Sequence, residues 1–132
     1  MKEYVLDTFA MLSYFGNEKG ADHIERLLHN AKRGKIHLFL NLINIGEIYY
    51  ITARETNLNQ ADEVIARIKR FPVNIVSNDE RLTLMAARIK AVNPLSYADA
   101  FVAATAKDRN AAVVTGDAEF KNIENLVEIF WI

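Results

Sequence analysis

Four acids in this chain stand where they could do chemistry together. Asp7 follows the apolar run Tyr4-Val5-Leu6, and Asp117 follows Ala112-Val113-Val114 through Thr115-Gly116. Glu47 lies in Asn44-Ile45-Gly46-Glu47, and Asp99 in Ser96-Tyr97-Ala98-Asp99. Short Val-rich runs closed by turn chemistry read as buried strands of a parallel sheet. In an open parallel sheet the ligand crevice lies beyond the carboxyl ends of the strands. Carboxylates crowded there repel, so each is costly to ionise unless a cation binds. Oxygen ligands without His or Cys suit Mg²⁺ or Mn²⁺ rather than zinc, and such ions assist in-line displacement at phosphorus.

Each acid also has a purely structural explanation. Asp7 can N-cap a helix that begins at Thr8. Asn44-x-x-Glu47 and Ser96-x-x-Asp99 both have the spacing of a capping box, and Asp117 can cap the turn around Glu119 and Phe120. Capping does not demand an acid at all four places, since Asn59 reads as a non-acidic cap in the same chain. Nor does it give a reason for four acids to converge on one edge of a sheet. Asp79, in Ser77-Asn78-Asp79, is read as a helix cap. His23, His29 and His37 share no spacing and are assigned structural roles. Lys32-Arg33 with Lys35, and Lys69-Arg70, read as solvated faces. The chain has no Gly-rich phosphate loop and no Ser/His/Asp order for nucleophilic catalysis.

The elements that must position these acids follow from periodicity. Helices are expected at Thr8 to Phe15, Ala21 to Arg33 (stopped by Gly34), Asn44 to Thr56, Asn59 to Phe71, Asp79 to Val92 and Ser96 to Arg109. Strands are expected at the Tyr4 run, Ile36 to Leu42, Val73 to Val76, the Ala112 run and Leu126 to Ile132. Strands alternating with helices imply an α/β domain with helices on both faces of a parallel sheet. If the chain winds outward one way and then back the other, the Asp7 and Asp117 strands become neighbours at the switch point. Ala98, Ala100, Ala103, Ala104 and Ala106 would let the last long helix approach the sheet closely.

Composition narrows the class. At 132 residues the chain has the size of one domain, and 51% hydrophobic with 25% charged residues is ordinary for a globular one. Sixteen Lys+Arg against 17 Asp+Glu argue against nucleic-acid binding through a basic surface, and leave open a nuclease whose phosphate affinity comes from metal. Cysteine is absent, which excludes disulfides and thiolate zinc sites. No stretch approaches the roughly 20 apolar residues of a membrane span, so the expectation is a cytoplasmic protein without membrane contact.

The set Leu6-Asp7-Thr8, Asn44-x-x-Glu47, Leu95-Ser96-Tyr97-Ala98-Asp99-Ala100 with Ala103-Ala104-Thr105-Ala106, and Thr115-Gly116-Asp117-x-Glu119-Phe120 resembles the PIN domain, most of all the VapC-like toxins of toxin–antitoxin pairs. The likeness runs from about residue 4 to the C-terminus and so implies a single PIN domain over residues 1–132. It implies a three-layer α/β/α sandwich with a five-stranded parallel sheet and a Mg²⁺- or Mn²⁺-dependent ribonuclease, leaving 5′-phosphate and 3′-hydroxyl ends. By position Asp7, Glu47, Asp99 and Asp117 match the family's acidic quartet. Asp7, Asp99 and Asp117 would hold metal directly or through water, with Glu47 bridging or orienting the attacking water. Thr115 matches its small hydroxyl residue, with Thr8, Asn44 and Ser96 in support. The resemblance further implies an RNA substrate, a cognate antitoxin and a homodimer, for which Tyr49, Tyr50 and Trp131 offer apolar surface. Phe9 departs from the Asn or Ser common at its position. The alternative is a non-catalytic PIN-like module binding RNA or protein; its mark, loss of an acid, is missing. A haloacid-dehalogenase reading needs Asp where Phe9 stands, and a receiver domain needs a lysine at the end of the last strand.

Overall fold

The computed structural model describes residues 1–132. Five strands, β1 (Lys2–Leu6), β2 (Ile36–Asn41), β3 (Asn74–Val76), β4 (Ala112–Thr115) and β5 (Ile129–Trp131), form one sheet in the order β3-β2-β1-β4-β5. All neighbours are parallel. The connecting helices are α1 (Thr8–Phe15), α2 (Ala21–Lys32), α3 (Leu42–Glu55), α4 (Leu58–Ile68), α5 (Glu80–Val92) and α6 (Tyr97–Arg109), with a short 3-10 helix at Ala118–Ile123. The chain winds outward from β1 to β3 and returns to β4 on the other side. The expected switch point therefore lies between β1 and β4.

Period-2 side chains divide the core into two. Val5, Phe39 and Val113, which are register partners, face α5 and α6 and pack with Phe120, Ile123 and Val127. Leu6, Leu40 and Val114, the next register set, face the other way onto Met11, Ile24, Ile48 and Ile68 of α1 to α4. Each such fully buried side chain stabilises the fold by about 1.5–3 kcal/mol relative to exposure. This is the three-layer sandwich expected. The alanine face of α6 is buried along Ala100, Ala103, Ala104 and Ala106, so a larger side chain there would push helix and sheet apart. No helix is long and apolar enough to cross a membrane.

Several boundaries differ from the sequence reading, each for a local reason. The second strand ends at Asn41, not Leu42, because the Asn41 side chain caps α3 by accepting from Ile43 N at 2.8 Å. Leu42 and Ile43, apolar enough to look like strand, are the exposed first turn of that helix. Asn44 is therefore inside α3 and caps nothing; the Asn44-x-x-Glu47 capping box is overturned. The α4 cap is Asn57, whose side chain accepts from Gln60 N at 2.8 Å, rather than Asn59. The last strand covers only Ile129–Trp131, because Leu126 closes the preceding 3-10 segment by donating to Ile123 O. Asp79 caps α5 by accepting from Leu82 N, as expected.

Candidate metal centre

The site grows from the ends of β1 and β4. Leu6 pairs with Val114, so the next residues in register are Asp7 and Thr115. Thr115 Oγ1 donates to Asp7 Oδ2 across the two strands. Asp7 Oδ1 accepts from Ala10 N at 2.8 Å and so caps α1. Both oxygens of this carboxyl are engaged and it is only 1% exposed. The same Thr115 Oγ1 accepts from Asp117 N at 2.9 Å, fixing the loop that carries the second acid. Asp117 then caps the 3-10 helix by accepting from Glu119 N.

The helix α6 brings the third acid. Ser96 Oγ accepts from Asp99 N at 3.1 Å, which is half of a capping box. The reciprocal bond goes elsewhere: Ser96 N donates to Glu119 Oε1 at 3.1 Å. Because Glu119 serves the helix start, the Asp99 carboxylate is spared from capping and turns to its neighbours. One carboxylate oxygen from each of Asp99, Asp117 and Glu119 lies within 4.8 Å of the other two. Asp99 and Asp117 were read from the sequence as site residues. Glu119 was read as part of a turn and of the Thr115-Gly116-Asp117-x-Glu119 motif but not as a site residue; its signal was that spacing beside a serine cap that needs a partner.

Glu47 reaches the same place from the second turn of α3. A cavity of about 400 Å³ is lined by Thr8, Phe9 and Leu12 of α1, Glu47 and Ile51 of α3, Ser96 and Asp99, and Asp117 and Glu119. Asp7, Thr115 and Asn44 are buried residues outside this lining. Asn44 Nδ2 donates to Thr8 Oγ1 at 3.0 Å, while Asn44 Oδ1 is buried with no hydrogen-bond partner. Thus Thr8, Glu47, Ser96, Asp99 and Asp117 meet at the cavity, and Asp7, Asn44 and Thr115 support it from within. The three histidines are exposed on α2 and β2, and none lines the cavity. A second groove, about 510 Å³, lies between α3 and α4 along Ile45, Gly46, Tyr49, Asp62, Ile65, Ala66 and Lys69 and shares no residue with the acidic one.

The electrostatics are those of crowded acids. Burial pushes the Asp7 carboxyl up to about 7, against the pull of its Thr115 and Ala10 hydrogen bonds, with Asp117 and Glu47 adding repulsion. Burial, then the charges of Asp117 and Asp7, push Asp99 up to about 8. Each member of the expected quartet is therefore in the field of another. A hard divalent cation held there would favour the charged form of every acid around it. The donor set is all oxygen, which fits Mg²⁺ or Mn²⁺ and offers zinc neither imidazole nor thiolate.

Comparison with known proteins gives the lineage. The model of the family described as PIN domain matches residues 4–126. Among solved structures, VapBC2 from Rickettsia felis bound to a promoter DNA fragment superposes with a TM-score of 0.75 at 18% identity, covering 97% of each chain. DNA-bound VapBC from Salmonella typhimurium gives 0.76 at 19% identity, covering 98% of each. VapC20 from Mycobacterium tuberculosis, a Sarcin-Ricin loop cleaving toxin, gives 0.69 at 18% identity, covering 89% of this chain and 92% of that one. Likeness at these identities concerns the fold. A comparison with curated protein sequences finds no match.

Proposed function

The chain belongs to the PIN domain family, and on that premise we propose that it is a Mg²⁺- or Mn²⁺-dependent endoribonuclease, the toxin of a toxin–antitoxin pair. The observation that carries this reading is the meeting of Asp99, Asp117 and Glu119 oxygens within 4.8 Å, beside Glu47 and the buried Asp7. Asp99, Asp117 and Glu119 would hold the cation, with Asp7 contributing its charge from behind or through water. A bound cation lowers the pKa of water and neutralises charge developing on a phosphodiester. Glu47, on the rigid second turn of α3, orients the attacking water and accepts its proton. Thr115 keeps Asp7 and the Asp117 loop in register, and Ser96 keeps Asp99 at the helix start. The buried floor of the site needs no protein nucleophile, and the products carry 5′-phosphate and 3′-hydroxyl ends.

Residues 1–132 act as one PIN domain in this reading, working in the cytoplasm as a homodimer restrained by an antitoxin. Support for the partner comes from the relatives above that are VapBC complexes, and from the half-apolar groove between α3 and α4 at Tyr49. The test is RNA cleavage by the purified chain with Mg²⁺, with EDTA, and by Asp117→Asn. Asn caps a helix about as well as Asp, so that variant keeps the 3-10 start and loses only charge. Cleavage that survives both EDTA and the substitution defeats the reading.

A further inference from the structure

The acidic cavity contains one aromatic ring, and its placement has no role in holding a cation. Phe9 is the second residue of α1, two after Asp7, and is 41% exposed between buried Thr8 and Ala10. Its ring nonetheless lies against the chain's own backbone. A Cβ built on Gly116 would lie 2.3 Å from Phe9 Cε1, 2.8 Å from Cζ and 3.1 Å from Cδ1. One edge of the ring thus rests on the backbone of the loop between Thr115 and Asp117, and a side chain at position 116 would require the ring to move. Leu12 and Ile51, both half-buried, extend the apolar part of the same wall.

We propose that Phe9 is the stacking platform for an unpaired base of the RNA, next to the phosphate that the acidic cluster addresses. The proposal rests on the ribonuclease reading and adds how substrate is gripped. No Lys or Arg lines the cavity, so its walls cannot grip a polyanion through the ion pairs that usually dominate nucleic-acid affinity. What remains is a cation for the phosphate and an exposed ring, resting on Gly116, for the adjoining base. Base–aromatic stacking needs a free π-face and tolerates any base. The platform therefore selects for unpaired RNA rather than for a particular nucleotide. A base inside a duplex already has both faces covered.

Binding to a short single-stranded RNA carrying 2-aminopurine, in Ca²⁺ with cleavage checked on a gel, separates the possibilities. Wild type should bind with quenched 2-aminopurine fluorescence at one position of a scan. Phe9→Leu keeps an apolar side chain over Gly116 but has no π-face; it should bind about 5- to 150-fold more weakly and lose the quench. Phe9→Trp should keep both, and a hairpin stem should be bound equally by wild type and Phe9→Leu. Equal single-strand affinity and equal quenching in Phe9→Leu, with a melting curve like wild type, overturns the platform and leaves the ribonuclease reading intact. A wild-type chain that neither binds nor cleaves the RNA overturns both.

Discussion

The Thr115 hydroxyl donates to the Asp7 carboxyl across the two strands at the switch point, and receives the Asp117 amide in turn. One hydroxyl therefore ties together the acids at both strand ends. It also holds Asp7 in place although burial makes its charged form costly.

That cost can be measured. The Asp7 carboxyl ionises near 7 in the fold against 3.8 in the unfolded chain. Below pH 3.8 both states are protonated and nothing is lost; as pH rises from there to about 7, the unfolded state releases its proton first and stability falls. Above 7 the loss is complete. Asp7→Asn keeps the α1 cap and should gain about 1–3 kcal/mol in metal-free urea unfolding at pH 8, with little gain at pH 4. The same variant should lose Mg²⁺-dependent RNA cleavage. A variant equally stable at pH 8 shows that Asp7 carries no such strain.

Cation binding should compete with protons. With Asp99 raised to about 8 and Asp7 to about 7, Mn²⁺ binding must displace protons below those values. Melting temperatures with and without Mn²⁺ should diverge progressively from pH 6 to about pH 8.5. A separation independent of pH would place the ion elsewhere.

Glu119 separates ligand from cap. Glu119→Gln retains an oxygen to accept from Ser96 N, now made at 3.1 Å, and removes a charge. Stability should change by less than about 0.5 kcal/mol, while Mn²⁺ affinity in calorimetry drops about 10- to 100-fold. Unaltered affinity would reduce Glu119 to a helix cap.

Asn44 is only half satisfied. Its Nδ2 fixes the Thr8 hydroxyl while its Oδ1 is buried without a partner. Asn44→Leu, similar in shape, removes the orphaned oxygen and leaves Thr8 facing the cavity, where water can serve it. Chemical denaturation should find it neutral or up to about 1 kcal/mol more stable, and cleavage assays should find it slower. A loss of several kcal/mol would mean that Oδ1 holds an ordered water.

Much of this arrangement could be read from residue order. Asp7 and Asp117 follow apolar strands, alternation of strands with helices pointed to a parallel sheet, and the winding that would put a switch point between those strands is the one observed. Glu47 was singled out because it follows the second strand, and it lines the acidic cavity; the competing capping-box explanation fails, because Asn41, three residues before Asn44, caps the helix. Exposed Leu42 and Ile43 hid the helix start, since apolar residues carry the same signal in a strand as in a first turn. Glu119 escaped notice because its role depends on Ser96, 23 positions away, needing an acceptor that Asp99 does not supply. The ring of Phe9 gives no sequence signal of lying on Gly116; only the fold brings them together.

Mn²⁺ binding to the purified chain at pH 8, followed by electron paramagnetic resonance in wild type and Asp99→Asn, tests the central claim most directly. Saturable binding in wild type that is lost or strongly weakened in the variant is the result predicted here. No saturable binding, or equal binding by both proteins, would contradict the assignment of these acids as a metal centre.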